Sequence, residues 1–335
     1  MPFSDVIGHR QITAWLARQV ATQTLGHAYL LQGPAGVGKR FLAQQMAQAI
    51  HCPQPVDGDA CGQCPACRSV AQGRHPDVLV VEVPAGHPVA QQIKIEQVRQ
   101  LQHWLALAPF QARRKVAIVD GADTMQEVAA SALLKTLEEP PPTAVLIVVA
   151  VHENRLLPTI VSRCTRLRCH PLPTDQLVRA LMGQGIERSR AEGVARRATG
   201  RVGYARHLAS DEVWERQRTT LEAWLAAVDA EAVELPWVAR PRAELEEILE
   251  DIAAWYRDVL LVHAGAASGA FAYPDRQELA RAQADRWSPH WLLETIDAVY
   301  ATRALVQQHV NPRAALAVLV TRLSRLDPSA GMGAG

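Results

Sequence analysis

Short apolar runs alternate with segments of helical periodicity through the first half of the chain. The four runs are AYLLQ (28–32), DVLVVEV (77–83), KVAIVDG (115–121) and AVLIVVAV (144–151). Each is rich in Val, Ile and Leu and is bounded by turn-forming residues or by a helical pattern, which is typical of buried parallel strands. The pattern therefore predicts a doubly wound α/β domain that ends near residue 167.

Two segments between these runs have the spacing of helices. The segment 95–109 places four apolar residues on a roughly helical period: Val98, Leu101, Leu105 and Leu107. The segment 126–141 predicts a second helix, which a run of prolines ends. A further helix is predicted from Phe41, after a glycine-rich turn. Helices in these places supply the crossover connections that parallel strands require.

The second half of the chain is predicted to be helical. Small residues and arginine predominate at about 170–210, which indicates a compact module of short helices, and longer helices follow from Asp211. One segment places seven apolar residues on a single helical face: Leu245, Ile248, Leu249, Ile252, Trp255, Val259 and Leu260. The final helix is predicted to have Asn311 as its N-cap and Pro312 in its first turn. The tail, 331–335, is predicted to be disordered.

Composition and charge limit the classes of function. At 335 residues the chain exceeds what one hydrophobic core usually supports, so we expect two or three domains. The formal net charge of +1 gives no overall basic field, so any DNA contact would be local or shared with partners. The sequence has neither the run of roughly 20 apolar residues that a membrane span needs nor the apolar core of a signal peptide. We therefore expect a cytoplasmic protein.

The segment LLQGPAGVGKRFLAQQ (30–45) matches a phosphate-binding loop except at its last position. In such loops the glycines, here Gly33 and Gly38, let backbone N–H groups surround the phosphates, and the lysine, here Lys39, reaches the terminal phosphates. Arg40 replaces the Ser or Thr whose hydroxyl ligates Mg²⁺. The preceding strand and following helix make the motif specific for the fold. Whether nucleotide occupies the loop stays open, and a glycine-rich turn without ligand is the alternative.

The second nucleotide-binding element is predicted at the end of the run VAIVDGAD. Asp120 follows apolar strand residues, where an acidic side chain can hold Mg²⁺. Water activation in such enzymes commonly needs a carboxylate at the next position, which is Gly121 here. Asp123 is three residues on and is expected to point elsewhere. The alternative role for Asp120 is to cap the following helix.

Four of the six cysteines cluster within sixteen residues. Cys61, Cys64 and Cys67 are separated by two residues each, and Cys52 lies across a loop rich in Pro, Gly and Asp. In a reducing compartment this clustering predicts metal binding rather than disulfides. Four thiolates with no open position would make a closed, structural zinc site. An iron–sulfur cluster and four unrelated thiols are the alternatives.

An arginine lies near the end of the predicted α/β domain, in the segment TIVSRCTRL. Arg163 precedes a domain break, where an arginine can reach the γ-phosphate bound to a neighbouring subunit as an arginine finger. The alternative is a solvated surface arginine, since the chain contains many. Cys164, beside it, is expected to be a packing residue because no His/Asp pairing is evident.

Taken together, four segments resemble the bacterial clamp-loader branch of the AAA+ family: GHAYLLQGPAGVGK, the four-cysteine insertion, ASALLKTLEEPP and IVSRC. The resemblance spans the first 170 residues with specific motifs and continues more weakly to VQQHVNPRAALAVLV. It implies an AAA+ P-loop α/β domain with a zinc insertion at 1–168. It further implies a small helical lid domain at 169–210 and an all-α collar domain at 211–330.

Within this branch, the sequence favours a non-hydrolysing, stator-like subunit. Compared with motor subunits, Arg40 replaces the Mg²⁺ ligand and Gly121 the catalytic glutamate, while Ala150 and Val151 stand where a polar phosphate sensor is expected. The family's second sensor, an arginine, falls at about Gly203. Arg163, which would act on a neighbour's nucleotide, is kept. An active gamma/tau-like ATPase motor is the alternative.

The resemblance also implies cofactors and partners. Zinc would be held by the four cysteines, while Gly33, Gly38, Lys39 and Asp120 would form a vestigial nucleotide site in which ATP and Mg²⁺ are doubtful. The partners would be gamma/tau motor subunits and a delta subunit in a five-subunit ring that loads a sliding clamp onto primed DNA. A nucleic-acid-binding module built on the cysteines is disfavoured, because the segment 53–67 contains no Lys or Arg.

Overall fold

The structure is a computed structural model that describes residues 2–83, 92–230, 235–308 and 310–326. The chain forms two compact units. The first consists of Met1–Leu172 with Arg201–Gly203, and the second of Pro173–Gly200 with Tyr204–Gly335. The predicted tail at 331–335 lies outside the described residues. In the described part of the chain, no helix has the length and apolar character to cross a membrane.

A parallel five-stranded sheet forms the centre of the first unit. Its strands are β1 (Ala28–Gln32), β2 (Val78–Val81), β3 (Lys115–Asp120), β4 (Ala144–Ala150) and β5 (Thr165–Arg168). The spatial order is β2-β3-β4-β1-β5, and every described pairing is parallel. The four apolar runs therefore became strands, and β1 has the predicted bounds.

The sequence pattern missed the fifth strand. β5 pairs with β1 at the edge of the sheet, and only Leu167 of its four residues is buried. An edge strand with one buried residue has too few apolar positions to show the pattern of a buried parallel strand. The α/β domain therefore has one more strand than predicted.

Six α-helices lie in the described part of the first unit. They are α1 (Arg10–Ala21), α2 (Lys39–His51), α3 (Pro65–Ala71), α4 (Ile95–Ala106), α5 (Glu127–Glu138) and α6 (Pro158–Arg163). α2 begins two residues before the predicted Phe41. α4 ends at Ala106, so placing Leu107 on its apolar face was wrong: that side chain lies beyond the helix and is 53% exposed.

The apolar core of the first unit lies on both faces of the sheet. Along β1, Tyr29 and Leu31 pack into the cluster that contains residues of α1 and α2, whereas Leu30 packs on the opposite side with residues of α4 and α5. Successive strand side chains point to opposite faces, so a run that is buried throughout requires helices on both. This arrangement confirms the predicted doubly wound architecture.

The second unit is helical in the part that the structure describes. Its helices are α7 (Thr174–Met182), α8 (Arg188–Ala198), α9 (Val202–Leu208, from Tyr204), α10 (Asp211–Asp229), α11 (Arg242–His263), α12 (Gln277–Arg286), α13 (Pro289–Gln307) and α14 (Pro312–Leu326). Of the seven residues predicted on one face of α11, six are buried and Leu260 is partly buried. Before α14, Asn311 Oδ1 accepts the backbone N–H of Arg313 at 3.0 Å, as expected of an N-cap.

A buried ion pair joins two segments of the second unit. Arg197 Nη1 of α8 lies 3.3 Å from Asp251 Oδ1 of α11, and the same nitrogen donates to Gln217 Oε1 at 2.8 Å. Both charged side chains are less than a tenth exposed. This pair spans the predicted boundary at residue 210, and the division of the second unit into lid and collar domains stays a prediction.

Candidate functional site

The phosphate-loop motif forms a glycine-dependent turn between β1 and α2. Gly33, Gly36 and Gly38 have φ of 149°, 79° and 99°, values at which a side chain would be strained. At Gly33 an added Cβ would also overlap the backbone carbonyl oxygen of Cys169. The loop therefore has the backbone conformation that its glycines predicted, and the N-terminus of α2 opens at its end.

Lys39 is folded back onto this loop. Its Nζ donates to the carbonyl oxygens of Gly33 at 2.6 Å and Pro34 at 2.8 Å, and the residue is buried. Burial lowers the pKa of Lys39, although the nearby carboxylates of Asp120 and Asp123 act in the opposite direction. The ammonium thus stands where a phosphate-binding lysine belongs, with hydrogen bonds to its own loop.

Arg40 joins two carboxylates that come from other elements. Its Nη1 forms an ion pair with Glu82, which follows β2, and lies 3.4 Å from Asp120 Oδ2 at the end of β3. Burial raises the pKa of Asp120, and the Arg40 charge opposes this rise. Glu82 was missed by the sequence analysis. Its position just after a strand of the parallel sheet was the available signal, because ligands bind at the carboxyl ends of such strands.

The carboxylate of Asp120 faces Arg40 rather than the next helical turn. The short 3₁₀ helix that follows has Gly121 at its N-cap position, without a side-chain hydrogen bond. Asp123 points elsewhere, as expected: its oxygens accept the backbone N–H groups of Val151 at 3.1 Å and His152 at 3.0 Å. Both aspartates are therefore engaged by groups of the protein itself.

The two positions that correspond to phosphate-sensing residues in the family, at the end of β4 and at Gly203, both line this site. β4 ends at Ala150, and Val151 follows, so the strand end presents no side-chain polar group to a phosphate. Gly203 donates its backbone N–H to the Gly36 carbonyl at 2.7 Å, and an added Cβ would stand 3.1 Å from that oxygen. Glycine permits this close approach, whereas an arginine would need the loop to move.

These elements enclose an open cavity of about 510 Å³. Its lining includes Gly38, Lys39, Arg40, Asp120 and Gly203. The structure therefore brings together the loop, the lysine and the aspartate that the sequence predicted as a nucleotide site. Arg40 lies where a metal-binding hydroxyl was expected. Its charge is neutralised by the carboxylates of Glu82 and Asp120.

The four clustered cysteines converge on one point. The Sγ atoms of Cys52, Cys61, Cys64 and Cys67 all lie within 4.8 Å of one another, and those of Cys61 and Cys67 are 4.0 Å apart. A tetrahedral zinc ion with bonds of ~2.3 Å to sulfur would space its ligands ~3.8 Å apart. The donor set therefore fits a closed zinc site after a small contraction, and spacing alone had predicted it.

Backbone N–H groups also favour the thiolate forms that a metal requires. Cys61 N–H donates to Cys52 Sγ at 3.3 Å, and Cys64 N–H donates to Cys61 Sγ at 3.4 Å. Hydrogen bonds from the backbone N–H groups of Gln63 and Cys64 lower the pKa of Cys61 to about 6, whereas burial raises the pKa of Cys67. A bound cation would offset the cost of ionising the buried thiol.

The cysteine loop is attached to the N-terminal segment. Asp59, within the loop, accepts the backbone N–H of Phe3 at 2.6 Å and of Ser4 at 3.3 Å. Gly58 packs so closely on the backbone of α1 that an added Cβ would overlap the Ala17 carbonyl oxygen. The loop that carries the cluster is therefore attached both to the N-terminal segment and to α1.

Arg163 ends α6, away from the residues that line the phosphate cavity. Its Nη2 lies 3.0 Å from Glu138 Oε1 of α5, its Nη1 donates to the Thr159 carbonyl at 3.1 Å, and its side chain is 37% exposed. These contacts hold the guanidinium at the surface, where an exposed ion pair contributes little stability.

The two remaining cysteines are buried, Cys164 at 9% exposure and Cys169 at 1%. Burial raises the pKa of Cys164 to about 12 and that of Cys169 to about 11, the latter opposed by Lys39. Such thiols are protonated at neutral pH and are poor nucleophiles. Cys164 is therefore a packing residue, as expected.

Comparison with known proteins connects the first unit to a replication family. Residues 8–173 match the family described as "DNA polymerase III, delta subunit". Over 166 residues the chain is 42% identical to DNA polymerase III subunit delta' of Pseudomonas aeruginosa, a match that covers 48% of this chain and 49% of that relative. Over 175 residues it is 32% identical to subunit tau of Escherichia coli, covering 52% of this chain and 26% of tau.

A solved structure shares the fold over a longer part of the chain. A DNA polymerase III gamma subunit-related protein from Thermotoga maritima superposes with a TM-score of 0.52 at 17% identity, covering 93% of this chain and 99% of that one. At this identity the likeness concerns the fold alone. With the parallel sheet and the phosphate loop, it confirms the predicted AAA+ fold.

Proposed function

We propose that the protein is a clamp-loader subunit in the delta-prime position, because residues 8–173 match the family described as DNA polymerase III, delta subunit. It would work in a cytoplasmic complex with gamma/tau motor subunits and a delta subunit, as one member of a five-subunit ring. The ring would load a sliding clamp onto primed DNA. In this role the chain contributes structure and an arginine to its neighbour's reaction, and does not hydrolyse ATP.

The observation that carries the non-hydrolysing role is the ion-pair cluster in the phosphate cavity. Arg40 forms ion pairs with the carboxylates of Glu82 and Asp120. Gly121 follows Asp120, at the position where a catalytic base is needed. Phosphoryl transfer requires Mg²⁺ and a positioned nucleophile. The chain lacks the side chains for both at the expected positions.

Arg163 would be the arginine finger. Its half-exposed guanidinium, at the end of α6, can exchange Glu138 for a γ-phosphate bound to the adjacent motor subunit. A phosphate oxygen can accept from Nη2 as the Glu138 carboxylate does, so the exchange replaces one charge-assisted hydrogen bond with another.

The direct test is DNA-stimulated ATP turnover by a reconstituted loader containing Arg163→Ala. A finger is worth on the order of 10³–10⁵ at the site it serves, so loss of one of three motor sites should lower turnover by about one third, and more if the sites are coupled. Arg166→Ala is the matched control, because Arg166 is an exposed arginine three residues away with a surface partner, Glu153. Equal turnover by both variants would refute the finger.

The isolated chain separates this proposal from its alternative, an active gamma/tau-like motor. The 32% identity to tau and the retained Lys39 favour that alternative. A motor would hydrolyse ATP alone, whereas a stator should show no turnover above a Lys39→Ala variant.

The four cysteines would hold one structural Zn²⁺. Zinc would fix the conformation of the loop and, through the hydrogen bond between Asp59 and Phe3, the position of the N-terminal segment. It would take no part in a reaction. Metal analysis of the purified chain should give one zinc per molecule, and none after replacement of Cys64 and Cys67.

The second unit would supply assembly contacts. Its long helices at 211–330 would form the collar that packs beside the corresponding helices of the other subunits, as bundles of amphipathic helices do. Truncation after residue 210 should then leave a chain that no longer enters the loader on size exclusion.

A further inference from the structure

The cysteine loop lies against one face of α2. Gln48 of that helix donates its side-chain amide to the Cys67 carbonyl oxygen of α3 at 2.8 Å, and this hydrogen bond is buried. Gln44 donates in the same way to the Val70 carbonyl oxygen at 3.2 Å. His51, the last residue of α2, continues this face, because residues three and four positions apart are neighbours on a helix surface. The short helix α3 is therefore held on α2 by polar side chains.

His51 joins this face to the segment that follows α3. Its imidazole stacks on that of His75, with ring centroids 4.5 Å apart and an angle of 20° between the ring planes. Both residues are buried, and His51 directly precedes Cys52. In the described part of the chain neither ring nitrogen of His51 has a hydrogen-bond partner, so it meets His75 through the ring face. The stack connects the end of α2, beside one cysteine, to the chain that follows the other three.

His75 in turn is bonded to a buried aspartate. Its Nδ1 accepts the backbone N–H of Asp77 at 3.1 Å. The Asp77 carboxylate, with 0% exposure, binds the loop between α4 and β3. It accepts three consecutive backbone N–H groups: those of Phe110 at 2.6 Å, Gln111 at 2.7 Å and Ala112 at 2.9 Å. These charge-assisted hydrogen bonds fix the backbone of the loop, from which Phe110 is 79% exposed to solvent.

We infer that occupancy of the four-cysteine site sets the conformation of this loop, through His51, His75 and Asp77. The inference rests on the zinc site proposed above. α3 is seven residues long, and a helix of that length is marginal by itself. Its N-cap Cys64 and its buried Cys67 are both ligands of the proposed zinc, so the metal keeps α3 folded against α2. Without metal, His75 loses its position against His51, and the Asp77 carboxylate no longer holds the loop.

Hydrogen–deuterium exchange of the full chain, read by NMR at single amides, tests the inference. Removal of metal by dissolved chelator should speed exchange at 110–112 about 10-fold, because the bonds to Asp77 no longer protect these amides. The amides of Val151 and His152 are the matched control, since the Asp123 carboxylate binds them in the same manner. Their exchange should not change. Unchanged exchange at 110–112, or equal acceleration at the control amides, would overturn the inference.

Metal analysis of the same samples separates the two ways of failing. A chain that takes up no zinc would overturn both the zinc site and the inference that rests on it. A chain that holds one zinc, but whose exchange at 110–112 is the same with and without metal, would overturn the inference alone.

His75→Leu tests the connection itself. It removes the stacking ring and the acceptor for Asp77, so exchange at 110–112 should be fast with zinc bound and change less than ~2-fold in chelator. His103→Leu, at an exposed histidine of α4, is the matched control and should respond to chelator as the natural chain does. A full natural response in the His75 variant would refute the connection.

Asp77→Asn tests the last step. Asparagine keeps the shape of the side chain but replaces one acceptor oxygen with an NH₂ group, which cannot accept a backbone N–H. Exchange at 110–112 should rise while the zinc content stays at one per molecule, since no ligand is changed. Exchange as slow as in the natural chain would show that the carboxylate does not hold the loop, which would overturn the inference.

Discussion

The four-cysteine cluster and the phosphate cavity lie in the same unit but use their side chains in opposite ways. In the cluster, four thiols lie within 4.8 Å of one another. In the cavity, the charges of Arg40, Glu82 and Asp120 are paired with one another. The first arrangement is complete only with a metal, whereas the second is complete without one.

This difference indicates which parts of each site are needed for folding. Four thiols that converge on one point form a complete coordination shell only when a metal binds them, and the free energy of metal binding then adds to folding. In the cavity, the backbone turn is needed for the sheet to connect to α2, while the polar side chains contribute little to stability. We therefore expect substitutions of the cluster's side chains and of the cavity's backbone glycines to lower the free energy of unfolding strongly. Substitutions of the cavity's carboxylates should change it little.

The largest effect is expected from Cys64→Ser combined with Cys67→Ser. Because the free energy of zinc binding adds directly to folding, the double variant should lose about 4 kcal/mol or more, or on the order of 10 °C in melting temperature. Differential scanning calorimetry measures both values. Dissolved chelator should lower the melting temperature of the natural chain to that of the variant and leave that of the variant unchanged. An unchanged melting temperature of the natural chain in chelator would contradict the zinc site.

The next effect concerns the cavity's backbone. Gly33→Ala introduces a Cβ that overlaps the Cys169 carbonyl at φ of 149°, so it should cost about 3 kcal/mol in urea unfolding. Gly38→Ala is the matched control: its φ is 99°, but an added Cβ meets no atom within 4 Å, so it should cost about 1 kcal/mol. Equal costs would show that the close approach to Cys169 is not a constraint.

The smallest effect is expected from Asp120→Asn. Burial raises the pKa of Asp120 above its ordinary value of 3.8, so the folded state holds this proton more tightly than the unfolded chain. Stability of the natural chain should then fall as pH rises from about 4 through the raised pKa, and the asparagine variant should not share that fall. At pH 7 the two should be within about 1 kcal/mol in urea unfolding. A loss of several kcal/mol in the variant would show that the ion pair with Arg40 is structural.

Much of the first unit could be predicted because its signals are local. The four apolar runs formed strands, since a strand covered on both faces must be apolar along its whole length. The edge strand β5 was not predicted, because its single buried residue, Leu167, does not make an apolar run. The helix boundary near Leu107 was misplaced because an apolar residue just beyond a helix continues its period without being buried.

The sequence by itself determined the features that depend on spacing over a few residues. The glycines of the loop specify a turn that other residues would strain, and the cysteine spacing brings four sulfurs to one point. Only the tertiary structure decided the features that join distant segments. Arg40 meets Glu82 and Asp120, 42 and 80 residues away, because three elements of a parallel sheet end at the same edge. No local pattern encodes that meeting, since it depends on the order of strands in the sheet.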